Sequence, residues 1–325
     1  MAVHVDRSLR LPQSEYFAEP QAKSGIALHH TVCDSARKTL EIWRRDQGAG
    51  GKPRRVATAF VIDRDGTIHE AFDPACWAYQ FGVPWERDQR LRFEKRFIGI
   101  EITSEGGLLQ HQGRLYAYDT AWPEFEKPRS EAFDAGAPYR GYRWFGRYQA
   151  EQLDALGRLV NELCERFAIP RVRPEEPYRF YGRALQSFEG IIGHAMVRVD
   201  KSDPAPDPRL WQALRDLAGV RPAPVSTVAL VTEAPPALAR AERDTLFTWN
   251  ARQLNRMHLA AGSMVKALLM ELERRHVYLK LGVAAPGAHT VGFELVQGDP
   301  HSVARLAQVL GLRATTDRVL EVRRA

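Results

Sequence analysis

Along the first two-thirds of the chain, apolar residues fall into short runs separated by turn residues, a pattern that predicts alternating strands and helices. The run Gly25-Ile-Ala-Leu-His-His-Thr31 closes on polar residues. It predicts a buried strand that delivers its last side chains to a rim. Asp34 and Ser35 stand where they can cap a helix reaching about Trp43. Glycines and a proline make residues 47–53 a loop. Two β-rich runs, 56–62 and 67–72, are joined through Asp65 and Gly66, a hairpin signal. Phe97–Ile102 predicts another strand, with Glu101 set inside the apolar run. Residues 104–146 are rich in aromatics and glycine and predict an irregular excursion with a short hairpin near 108–118. Leu153, Leu156, Leu159, Val160, Leu163 and Phe167 recur at three- and four-residue steps, so Ala150–Phe167 reads as an amphipathic helix that Pro170 stops.

Past Arg221 the punctuation changes. Arg-Pro-Ala-Pro at 221–224 and Pro235-Pro236 place a linker near 218–226, dividing the chain into residues 1–220 and 226–325. The second part predicts a long helix over 241–276, strands over 277–281 and 290–296, a helix over 302–310 and a last strand over 319–322, an α+β pattern. Met257, Ala261, Met264, Leu268 and Leu272 fall at helical spacing and suit either a core or a partner-facing stripe. A length of 325 residues suits two domains. At 44% hydrophobic and 26% charged, the chain is neither disordered nor fibrous.

Other features narrow the setting. No apolar run approaches the ~20 residues of a membrane-spanning helix. The first residues lack the apolar core of a secretory signal, so synthesis in the cytoplasm without Sec export is expected. Cys33, Cys76 and Cys164 are far apart and outside CxxC spacing, as for free thiols in a reducing compartment. The net charge of +6 suits an anionic partner but is dispersed. With no recognition motif beside it, a specific nucleic-acid role ranks last.

Chemistry concentrates in three segments. Hydrolytic zinc sites use two or three nitrogen or oxygen ligands and leave one position open. His29-His30 ends a strand, His194 follows the apolar pair Ile191-Ile192, and Asp203 lies nine residues further on. Neighbours in a strand point to opposite faces, so at most one of His29 and His30 serves as a ligand.

Four motifs then occur in order: Ile26-Ala-Leu-His-His-Thr31, the hairpin spanning 58–68, Ile98-Gly-Ile-Glu101, and Gly193-His194 with Lys201-Ser-Asp-Pro204. Together they resemble the zinc-dependent N-acetylmuramoyl-L-alanine amidases of the type-2 amidase and peptidoglycan-recognition-protein family, over about residues 24–215. The resemblance implies an α/β fold, a mixed central sheet flanked by helices with a metal groove across it; the smaller C-terminal α+β domain lies outside it. The resemblance implies zinc (Zn2+) held by His29, His194 and Asp203, with Glu101 as general base and Lys201 steadying the oxyanion. The implied substrate is peptidoglycan, cut between N-acetylmuramic acid and L-alanine after cell lysis or specialised secretion, as by endolysins.

Two positions depart from the family pattern: Thr58 and Ala59 stand where tyrosine and histidine are frequent, and Gln80 replaces a histidine in Ala78-Tyr-Gln-Phe-Gly82. Neither position is a ligand in the family. His30 is expected to be a hydrogen-bonded core neighbour. Trp43, Trp77, Trp122 and Trp144 suit a glycan groove or a core equally, and the remaining histidines lack ligand spacing. The competing function is a binding module that holds muropeptides without cutting them. Non-catalytic relatives typically lack the third ligand, whereas Asp203 is retained here. For residues 226–325, with 13 Lys and Arg against 9 Asp and Glu, wall or partner targeting is expected over pure packing.

Overall fold

A computed structural model describes residues 3–46 and 51–225, together with the backbone of four strands between 278 and 323. The chain divides into two compact units, Met1–Ser226 and Thr227–Ala325.

In the first unit, the elements of the main sheet are β1 (Val5–Asp6), β2 (Gly25–His30), β3 (Phe60–Ile62), β4 (Ile68–Glu70) and β5 (Phe97–Ile102). Helix α1 (Ala36–Arg45) follows β2, and α2 (Arg87–Arg96) precedes β5. An excursion then supplies β6 (Gly107–His111), β7 (Arg114–Tyr116), β8 (Glu126–Lys127), β9 (Ala132–Tyr139) and β10 (Tyr142–Gly146). Helix α3 (Ala150–Phe167), β11 (Val172–Pro174), β12 (Gly190–Gly193), α4 (Pro208–Ala218) and β13 (Arg221–Ala223) complete it. The main sheet runs β1-β4-β3-β5-β2-β12. Its pairs are parallel except β3 with β4, so the sheet is mixed, with helices beside it, as expected.

Strand β2 lies between β5 and β12, and all six of its residues are buried. A central parallel strand is covered on both faces, which is why it reads as an almost unbroken apolar run. Its register sets His29 beside Glu101 and Ala27 beside Gly99, on the face opposite Ile26, Leu28 and His30. The 58–68 hairpin turns through Gly66, whose φ of +84° favours glycine, but its paired strands are shorter than the apolar runs.

Local signals explain the helices. Ser35 accepts the Lys38 N–H at the start of α1. Gln152 accepts the Gln149 N–H at the start of α3, and its side-chain amide donates to the carbonyls of Ile62 and Thr103. Helix α4 begins on Asp207 and Pro208 and ends on left-handed Gly219. Helix α2 was not expected. It is strongly charged, and only Phe93 and Glu94 are buried along it.

The excursion over 104–146 is more regular than its composition predicts. The expected hairpin is present as β6 and β7, but it belongs to a five-stranded sheet, β8-β7-β6-β10-β9. The excursion starts and returns beside itself: Gly146 N–H donates to the Gly106 carbonyl and the Ser104 hydroxyl to the Gly146 carbonyl.

The second unit contains β14 (Tyr278–Gly282), β15 (Thr290–Gln297), β16 (Arg313–Thr316) and β17 (Val319–Arg323), an antiparallel sheet in the order β14-β15-β17-β16. Strand β16 was not anticipated. The expected helices over 241–276 and 302–310, with the 257–272 apolar stripe, lie outside the described residues. No helix among the described residues is long and apolar enough to cross a membrane.

Candidate functional site

Three chain segments meet at the carboxyl end of β2 and β12. His29 is the penultimate residue of β2, and His194 opens a single 3-10 turn directly after β12. Asp203 returns to this turn because the Ala195 N–H donates to its carbonyl at 2.7 Å. The return also needs Gly193, since a Cβ there would lie 2.6 Å from Pro204 Cδ. From the tip of the β9–β10 hairpin, Arg140 donates to the carbonyls of Ala195 and Val199 and ties down the same turn.

Three donor atoms converge as a result. His29 Nδ1 lies 3.1 Å from His194 Nδ1 and 3.1 Å from Asp203 Oδ2, and His194 Nδ1 lies 2.9 Å from that oxygen. All three residues are buried. The outward ring nitrogens define the tautomers. His194 Nε2 is 2.9 Å from the Phe81 carbonyl, which only accepts, so it carries the proton. Gln80 donates through Nε2 to the Phe97 carbonyl, which turns Oε1 towards His29 Nε2 at 3.4 Å. Both Nδ1 atoms therefore present lone pairs to one another and to a carboxylate oxygen.

A cation at its centre, whether a metal ion or a shared proton, satisfies such a cluster. Ligands bonded at about 2.0–2.1 Å in a tetrahedron are ~3.3 Å apart, close to the separations here. The donor set and its outward hydrogen bonds thus fit a divalent metal, and the outward bonds are of the kind that orient ligating imidazoles. In the protein alone, burial opposes ionisation of Asp203, yet His194 and His29 hold its carboxyl well below the usual range. Burial pushes His194 downward. Burial also works against charge on His29, but the Asp203 and Glu101 carboxylates outweigh it and raise the ring.

Glu101 lies on the same face as His29, one strand away. Part of its side chain reaches the surface, while Oε2 is buried without a hydrogen-bond partner. Burial pushes its carboxyl up to about 7, with Asp203 adding to the rise and His29 and Lys201 opposing it. Lys201 is half-buried and forms no ion pair with a described residue, and its charge is felt at Glu101 and at His194. The structure thus brings all five residues singled out from the sequence into one neighbourhood.

The departures also find places. Thr58 and Gln80 both lie over Gly99, where a Cβ would meet Gln80 Oε1 at 2.4 Å and Thr58 Cγ2 at 2.6 Å. Gln80 also faces His29, with Oε1 3.4 Å from Nε2, a contact that its chain position alone did not signal. His30 is buried on the other face, with Nδ1 3.5 Å from the Tyr148 hydroxyl. Of the four tryptophans, Trp77 is buried in a stack with Phe17, Trp43 packs on the core, and Trp144 lies under Arg129 and Arg143. Trp122 is 60% exposed.

Comparison with known proteins adds the family. The family model described as N-acetylmuramoyl-L-alanine amidase matches residues 19–206. No curated protein shows a significant match to the chain. Among solved structures, the chain is similar to N-acetylmuramoyl-L-alanine amidase LysC from Clostridium intestinale, at 13% identity, covering 63% of this chain and 93% of that one, with a TM-score of 0.34. It is similar to Drosophila PGRP-LB at 16% identity, 66% and 94% coverage and a TM-score of 0.32. Staphylococcus aureus hydrolase AmiA follows at 12% identity, 67% and 82% coverage and a TM-score of 0.36. With the family model spanning more than half of its length, the chain belongs to the N-acetylmuramoyl-L-alanine amidase family.

Proposed function

We propose that the protein is a zinc-dependent peptidoglycan hydrolase that cleaves the amide between N-acetylmuramic acid and the L-alanine of the stem peptide. The observation that carries this reading is the convergence of His29 Nδ1, His194 Nδ1 and Asp203 Oδ2, all buried and within 3.1 Å of one another. His29, His194 and Asp203 would hold the zinc. When bound, zinc supplies Lewis acidity that brings the pKa of water towards ~7.

The remaining roles belong to the chain. Glu101, with an unpartnered oxygen and a carboxyl near 7, is suited to accept the proton of the attacking water and return it to the leaving amine. Lys201 offers a positive charge for the carbonyl oxygen as it becomes negative. Hydrolysis leaves a carboxylate on the muramic acid and a free amine on L-alanine. Retention of Asp203 favours hydrolysis over the alternative, a module that binds muropeptides without cutting them. We assign residues 226–325 to wall or partner targeting, supported by their net positive charge.

Mass spectrometry of digested peptidoglycan tests the reading. New L-alanine amines that disappear with a chelator and return with zinc are the expected result. Binding of muropeptides without new amines, under zinc-replete conditions, would favour the binding module.

A further inference from the structure

The segment 80–82 belongs to no strand or helix, yet it supplies both groups that face the outward nitrogens of the two histidines. Its three successive N–H groups converge on one carboxylate. Gln80 N–H reaches Glu94 Oε2 at 2.8 Å, Phe81 N–H the same oxygen at 3.1 Å, and Gly82 N–H reaches Oε1 at 3.1 Å. Glu94 is fully buried on α2 and forms no ion pair with a described residue. A buried carboxylate is costly unless its lone pairs are met, and here backbone amides meet them.

The other edge of the segment is held as well. Arg198 Nη1 donates to the carbonyls of Phe81 at 3.2 Å and Gly82 at 2.9 Å. A Cβ on Gly82 would lie 2.8 Å from that nitrogen, and the residue's φ is +57°. Glycine therefore lets the arginine approach. The segment is gripped through its amides by Glu94 and through its carbonyls by Arg198, and it is left with Gln80 Oε1 and the Phe81 carbonyl directed at the rings.

We propose that Glu94 is a positioning residue for the metal centre: by clamping 80–82 it keeps His29 and His194 as Nε2–H tautomers with both Nδ1 lone pairs free for the ion. This rests on the reading of His29, His194 and Asp203 as zinc ligands. A glutamine at 94 would preserve shape but exchange one acceptor oxygen for a donor NH2, which faces an N–H instead of accepting it. One amide of the segment would lose its partner, and the segment would shift.

The test is Glu94→Gln in the full chain, with thermal melting recorded alongside. Two quantities are read: zinc affinity by competition with a chromophoric chelator, and the tautomers of His29 and His194 in metal-free protein by long-range 1H–15N spectra. A rise in zinc Kd of about 10–100-fold is expected, as for the loss of groups that orient ligands. Mixed tautomers should replace the single Nε2–H form. A folded variant with wild-type affinity and unchanged tautomers overturns the proposal. If Glu94→Gln does not fold, Arg198→Lys loosens the same segment from its carbonyl side and carries the same two readouts, with unchanged values again overturning the clamp. If the wild type takes up no zinc while the tautomers still shift, the ligand reading falls and the clamp stands. If the wild type binds zinc and neither readout moves, the clamp alone falls.

Discussion

Replacing Glu101 by glutamine should disable hydrolysis and stabilise the metal-free protein at neutral pH. Glu101 is held in a sheet position where one oxygen has no partner, and burial moves its carboxyl from an ordinary 4.5 up to about 7. Below pH 4.5 the group is protonated in both the folded and unfolded chain, so it contributes no penalty. Between 4.5 and 7 the unfolded chain releases the proton while the fold retains it, and stability falls as pH rises. Above 7 the penalty is complete, at most ~3 kcal/mol for a displacement of that size. Glutamine has a similar shape and no charge to bury. Urea unfolding of chelator-treated wild type and Glu101→Gln at pH 4 and pH 8 reads the effect together with that on His29, whose ring the Glu101 charge raises, while groups that Glu101 does not reach cancel in the difference. The variant should gain about 2–3 kcal/mol relative to wild type between these pH values. In zinc-replete protein it should keep its metal and lose about 10²–10⁴-fold in amide hydrolysis, the usual contribution of a general base. A stability difference independent of pH would refute the burial argument, and wild-type turnover would remove Glu101 from the chemistry.

Four further outcomes are expected. His194→Ala should lose most of its zinc by elemental analysis, and full occupancy would remove His194 from the ligand set. Val32, a β-branched residue at φ +50° and 54% exposed, lies just past β2; Val32→Asn should raise stability by about 0.5–1 kcal/mol because asparagine tolerates the left-handed region, and a drop in melting temperature would contradict this. Lys23 donates to the carbonyls of Cys76 and Lys95, and burial pushes its pKa down to about 8; wild type should therefore gain stability as pH rises from 8 to 10.5, a gain that Lys23→Met lacks in matched urea titrations. Truncation after residue 225 should leave activity on soluble muropeptide unchanged and cause a salt-sensitive loss on intact sacculi, whereas equal loss on both would reject targeting.

What the sequence revealed depended on how each residue is buried. Strand β2 was legible because a strand covered on both faces leaves an apolar run, against which His29 and His30 stand out. Helix α3 was legible because its buried leucines recur on one face. The inserted sheet was not, since its strands are two to eight residues long and mostly half-exposed, leaving little alternation to read. Helix α2 escaped because nearly all its side chains are polar, and Glu94 escaped with it. Helix α4 had a readable signal in Leu210, Trp211, Leu214 and Ala218 between an Asp-Pro start and a Gly stop. The five site candidates were legible as types in an order. The contact of Gln80 with His29 was not, because Gln80 reaches it from a segment outside the sheet, distant in sequence.

The inserted sheet has a consequence for engineering. Its two ends are joined at Ser104, Gly106 and Gly146, a doorway beside which Phe145 enters the main core and Phe133, Tyr139 and Tyr142 pack against it. Segments whose ends nearly touch can be exchanged without redrawing the scaffold. The excursion is therefore a cassette with an apolar root: loops of other length and polarity can be grafted at this doorway while β2, β5 and β12 keep their register, provided the graft refills the places of Phe133, Tyr139, Tyr142 and Phe145. A second condition travels with any graft, because Arg140 reaches out of the cassette to hold the turn that bears His194. A replacement that omits an equivalent cation should fold around an intact sheet and yet hold His194 more loosely.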